Sequence, residues 1–174
     1  MLDSNHPLRG GKRDLYEGGI RVPMVAYWPK GIAQPGTTTS HVSAFWDFLP
    51  TACDLAGVEP PSDIQGFSYA PTLRGQSDAQ EAHAALYWEF HERRIRRAMR
   101  QGDWKLVQYQ LAAKKPGKPE LFNLSEDLSE ENDLASQHPE KVQAMLDWMD
   151  HHREPSGMFP NRALDALGAA AQTE

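Results

Sequence analysis

The sequence predicts an α/β chain: the end of a larger layered domain, then a small four-stranded antiparallel sheet packed against a C-terminal helix. Three observations carry this. Residues 22–28 (VPMVAYW) form a short, nearly continuous apolar run bounded by Pro23 and Pro29, the pattern of a strand buried on both faces. Residues 85–90, 95–101, 104–110 and 120–124 are strand-like, with Gly102 and Asp103 between the middle two as a tight hairpin loop. Residues 138–152 carry Val142, Met145, Leu146 and Met149 on one stripe at helical spacing.

In chain order, Pro23 sits at the start of the first strand, where its missing N–H is tolerable. Residues 30–41 (KGIAQPGTTTSH) are loop by composition. Phe45, Leu49, Ala52 or Cys53, and Ala56 then fall at helical spacing. Asp47 is the expected N-cap, Pro50 lies in the first turn, and Gly57 is the expected C-terminal stop. Residues 58–82, rich in Pro, Gly, Ser and Asp, read as a connecting segment over a surface. The last helix opens with Pro139 at its first position and ends in His151 and His152, where positive charge is favoured. Adjacent histidines on a helix point apart, which argues against a shared metal. Beyond residue 160 the composition predicts a fraying tail. The expected division is therefore 1–82, the end of an α/β domain plus connector; 83–160, a sheet-and-helix subdomain; and 161–174, a flexible tail.

A buried strand needs neighbours on both edges, and residues 1–82 offer none for 22–28. The chain therefore reads as cut from a longer one. Its net charge of −6 gives no reason to expect a nucleic-acid partner. Arg93, Arg94, Arg96, Arg97 and Arg100, and separately Glu126, Asp127, Glu130, Glu131 and Asp133, read as two solvated surfaces of opposite sign. A single cysteine, Cys53, excludes an internal disulfide framework. No apolar run approaches the length of a membrane span, and no secretory leader is visible.

The blocks PLRGGKRDLYEGGIRVPMVAYWPKGI, FWDFLPTACDLAGV, LYWEFHE, GDWKLV and ELFNLSEDLSEENDLASQHPE follow one another from Leu8 onward. Together they closely resemble the C-terminal third of the type I sulfatases, the arylsulfatase-like family. The resemblance implies an alkaline-phosphatase-like α/β fold and hydrolysis of sulfate esters, aryl or carbohydrate. It also implies calcium and a formylglycine in the full-length parent, neither expected on these residues, and a periplasmic or extracellular parent. One active-site position of the family maps onto this sequence, Lys12 of the GGK block, whose ammonium would lie against the sulfate oxygens and the departing ester oxygen. Gly10 and Gly11 would let the backbone pass close to the bound group. Glu17, Gly18, Gly19 and Arg21 look structural, with Arg21 paired to Glu17.

Cys53 is followed by Asp54, Leu55, Ala56 and Gly57, which does not match the family's nucleophile motif, and it reads as a buried, inert thiol. Asp3 and Asn5 are not assigned as metal ligands, since the corresponding stretch in the family lies after the metal-binding pair. His91 ends a strand and is the remaining candidate for substrate binding, against the plainer reading of a half-exposed, hydrogen-bonded strand-end histidine. The reading is a sulfatase C-terminal part, inactive alone because nucleophile and metal ligands lie elsewhere. Two alternatives stay open: a non-catalytic module binding sulfated glycans or a partner through residues 93–100, and a part of a related phosphate or phosphonate monoester hydrolase.

Overall fold

The computed structural model describes residues 5–92 and 95–171. The chain divides into two compact units, one of residues 1–22 with 85–174 and one of residues 23–84.

The first unit is built on an antiparallel meander, β1 (Leu86–Phe90), β2 (Arg96–Gln101), β3 (Trp104–Gln108) and β4 (Glu120–Asn123), paired in that order. Gly102 takes the positive φ, 59°, that the two-residue loop between β2 and β3 requires. Both faces of the sheet are covered. Met99, Leu106 and Leu121 meet Val142, Met145 and Met149 of α4 (Pro139–His152) on one face. Ala98, Val107 and Phe122 meet Leu15 and Tyr16 of the opening block on the other. This double covering is why β2 shows no alternation of burial and reads as buried from Arg96 through Met99.

The arginines of β2 correct the expectation of a solvated basic surface. Arg96 and Arg97 point to opposite faces and are both buried. Arg96 donates to Asp14 at 3.0 Å and lies over the rings of Phe90 and Tyr109. Arg97 bonds Gln108 at 3.1 Å and pairs with Asp150 of α4. Long strand side chains between two covered faces find carboxylates there, and pairing makes their burial tolerable. Arg93 and Arg94 lie outside the described residues. In the acidic segment Glu130 is likewise buried, whereas Glu126, Glu131 and Asp133 are exposed.

Within the expected tail, residues 162–171 form a helix, α5 (Arg162–Ala171). Leu164 is buried, Asp165 pairs with Arg153 at 2.7 Å and accepts from Asn161 N–H at 3.1 Å. Composition predicted fraying, but one buried leucine and one shared carboxylate anchor this segment against its own unit. No described helix is long and apolar enough to cross a membrane.

In the second unit α2 (Phe48–Ala56) starts after Asp47 and stops at Gly57, which adopts φ 69°. Asp47 occupies the N-cap position but makes no cap bond to α2. Its buried carboxylate instead accepts from Ala44 N–H at 2.7 Å, Phe67 N–H at 2.9 Å and His83 Nε2 at 2.8 Å. A short helix, α3 (Ala70–Leu73), breaks the connecting segment. Cys53 is half-buried rather than fully enclosed, and Phe45, Phe48 and Leu49 are exposed.

Residues 22–28 depart most from the sequence pattern. They form no strand, and the run is open to solvent, with Val25 92% and Tyr27 89% exposed. Apolar composition supplies a propensity, but a strand also needs a ladder partner, and no described strand pairs with this run.

Candidate functional site: the Gly11–Asp14 turn

Residues 11–14 close a β-turn in which Asp14 N–H donates to Gly11 O at 2.8 Å. Arg13, the third residue, has φ 77°, the sign a type II turn demands and one that side-chain-bearing residues rarely adopt. The Asp14 carboxylate fixes the turn from below. One oxygen accepts from Gly11 N–H at 3.1 Å and the other from Arg96 at 3.0 Å. Lys12 and Arg13 form the exposed tip.

Behind the tip the chain doubles back through α1 (Glu17–Ile20). Gly18 N–H donates to Arg9 O at 2.8 Å, and Asn5 Nδ2 donates to Gly18 O at 2.9 Å. The two passes are so close that a Cβ on Gly19 would stand 2.1 Å from Asp14 O, a distance no side chain tolerates. The glycine pair of EGG is therefore a close-approach device.

The block is bolted to the sheet by polar groups. Arg9 donates to Glu120 Oε2 and to Glu130 O, both at 3.0 Å, and lies 3.8 Å over the Tyr16 ring. Tyr16 donates to Glu120 at 2.8 Å, and Tyr109 accepts from Leu15 N–H at 2.9 Å. Burial, then the bond to Glu120, pushes the Tyr16 hydroxyl pKa well up, so it stays a donor.

Deepest is a three-residue ion cluster. Lys105 of β3 is fully buried, with its ammonium 2.9 Å from Glu17 Oε1 and 2.8 Å from Glu130 Oε1. The contact to Glu130 is an ion pair off the angle of a hydrogen bond, since Oε1 has no hydrogen-bond donor among the described residues. Glu130 Oε2 accepts from Glu17 N–H at 2.6 Å, and Arg21 holds Glu17 Oε2 at 3.1 Å. Burial pushes the Glu17 carboxyl up, but Lys105 and Arg21 outweigh it and hold the group below the usual carboxylate range. At Glu130 burial wins over Lys105 and the pKa is raised. Glu130 also sits at φ 55°, a strained backbone kept in place by these bonds. The Glu17–Arg21 pair matches the sequence expectation. Lys105 and Glu130 were missed, although a lysine on the Val107 side of an apolar strand is the signal of a buried, paired cation.

Of the sequence candidates, Lys12 is exposed and forms no ion pair with a described residue. His91 follows β1, its side chain 42% exposed and its Nε2 3.1 Å from Glu89 Oε2. Arg13, adjacent to Lys12, pairs at 3.5 Å with Glu92, adjacent to His91. Gly10 has the positive φ, 78°, and Gly11 does not. Asn5 spends its amide on the backbone, and Asp3 lies outside the described residues. Among the described residues no cluster of three or more His, Cys, Asp or Glu is arranged to hold a metal. The described residues do not fit the implied calcium.

The family model described as N-sulphoglucosamine sulphohydrolase, C-terminal, matches residues 10–153. A sulfatase of Formosa agariphila is 31% identical over 90% of this chain and 32% of its own length. An N-acetylglucosamine-6-O-sulfatase of Bacteroides thetaiotaomicron is 40% identical over 56% of this chain and 19% of its own. The crystal structure of Ps i-CgsB superposes with a TM-score of 0.71 at 28% identity, over 84% of this chain and 32% of that one. The chain thus spans about a third or less of the relatives it matches.

Proposed function

Because this chain belongs to the family of N-sulphoglucosamine sulphohydrolase C-terminal domains, we propose that it is the C-terminal part of a sulfatase and supplies Lys12 to the site where a sulfate ester is hydrolysed. The observation that carries this is the turn itself. An exposed lysine without an ion-pair partner among the described residues stands at the tip of a turn whose base is fixed by Asp14, Arg96 and the buried Lys105 cluster. In sulfuryl transfer, negative charge grows on the sulfate and departing oxygens. A cation carried on a backbone fixed before the reaction stabilises that charge with less reorganisation at the moment of transfer. Carbohydrate sulfates are the favoured substrate class, supported by the named N-acetylglucosamine-6-O-sulfatase relative.

In this reading the nucleophile and the metal ligands belong to other residues of the parent. Cys53 is half-buried within α2 and does not sit in a nucleophile motif. The alternative of a basic glycan-binding groove at residues 93–100 finds no support in Arg96 and Arg97, whose charges are spent on Asp14 and Asp150. The test is 4-nitrophenyl sulfate turnover by the complete parent enzyme with Lys12→Ala. Loss of one charge-stabilising donor typically costs about 100- to 1000-fold in kcat. A parent variant that retains wild-type turnover, or turnover by the 174 residues alone, refutes the proposal.

A further inference from the structure

Arg13 is the strained residue of the turn. At φ 77° it stands where a glycine would adopt the conformation at no cost, and strained positions of this kind gather at functional sites. The strain is not offset by a firm local role. Arg9, Arg96 and Arg97 each join elements of the unit through close ion pairs. The Arg13 guanidinium is 48% exposed and has Glu92, itself 56% exposed, at 3.5 Å. An exposed pair of this length contributes little and exchanges readily for another anion. Asp14, the other carboxylate of the turn, is already engaged by Gly11 N–H and Arg96.

We infer that Arg13 is a specificity-determining residue of the Lys12 site: it takes a second sulfate group on a multiply sulfated sugar, displacing Glu92, while Lys12 meets the first. The planar guanidinium offers two parallel donors to a tetrahedral oxyanion, a geometry that an ammonium does not reproduce. This inference rests on the reading of Lys12 given above.

The test follows amide shifts of residues 10–14 in the full chain by NMR. The titrants are N-acetylglucosamine 6-sulfate and glucosamine 2-N,6-O-disulfate at one fixed ionic strength. The unmodified chain is expected to prefer the disulfate by roughly tenfold, the effect of one added charge-assisted contact. Arg13→Gly brings the two Kd values together and melts no lower than the unmodified chain, because glycine relieves the positive φ. Glu92→Gln widens the preference by releasing the guanidinium, a change that a merely structural arginine would not produce. Lys12→Ala weakens both ligands. An Arg13→Gly chain that keeps the preference overturns the inference and leaves the Lys12 reading standing. A Lys12→Ala chain that binds both ligands normally overturns the Lys12 reading itself. Absence of binding, or of preference, in the unmodified chain also overturns the inference.

Discussion

Replacing Lys105 by methionine keeps most of the side-chain length but removes the ammonium between two buried carboxylates, 2.9 Å from Glu17 and 2.8 Å from Glu130. Glu17 retains Arg21, and Glu130 retains the Glu17 N–H, so neither is stripped bare. Each nevertheless loses its buried counter-ion and faces a like charge. Breaking a buried ion pair from one side costs about 3–5 kcal/mol. At roughly 2–4 °C per kcal/mol for a chain of this length, the melting temperature should fall by about 6–20 °C. The assay is a circular-dichroism melt at pH 7 and again at pH 4. Without Lys105 both carboxyls take up protons more readily, so acid relieves the repulsion and the deficit narrows. Adding Glu17→Gln and Glu130→Gln to the variant should restore more than half of the loss. A drop of under about 3 °C at pH 7, corresponding to roughly 1 kcal/mol, would refute the cluster as the anchor of the turn. So would a deficit equal at both pH values.

Gly19→Ala should destabilise the first unit by about 1–3 kcal/mol in a urea titration, because its Cβ would meet Asp14 O at 2.1 Å. Gly57→Ala, at φ 69° with open space around it, should cost about 1 kcal/mol from backbone conformation alone. Glu130 has a folded pKa above its unfolded value. Its protonation therefore stabilises the fold below the ordinary carboxylate range, and that contribution is lost as pH rises through the raised value. Glu130→Gln should flatten the urea-midpoint profile in that window. Glu17, held low, acts oppositely, stabilising above the ordinary range and losing its contribution as pH falls through its lowered value. Leu164→Ala should cost about 2–5 kcal/mol in the same titration, the penalty of a core cavity, whereas a frayed tail would register nothing.

Much of the sheet-and-helix unit was legible because its signals are local. The Gly102–Asp103 loop, the Pro139 start of α4 and the Val142–Met145–Met149 stripe each encode their own geometry. The buried arginines were not legible. Arg96 and Arg97 look like surface residues until both faces of β2 are covered, one by the opening block and one by α4. The α5 segment was missed for a similar reason. Its order comes from Leu164 and from Asp165 shared between Arg153 and Asn161, partners that a window of composition does not contain. Residues 22–28 failed in the opposite direction, since strand propensity there has no ladder partner among the described strands.

By itself, the order of residues determined the family, through the blocks that resemble it, and also the turn glycines and the lysine they frame, which depend on close approach and chain direction within a few residues. Tertiary structure alone decided what holds the block that carries that lysine. Lys105 and Glu130 lie far along the chain from Lys12, and only packing of the opening block on the sheet brings Glu17 onto both. A buried charge is stable only beside its counter-charge, and which charges become neighbours is a property of the fold.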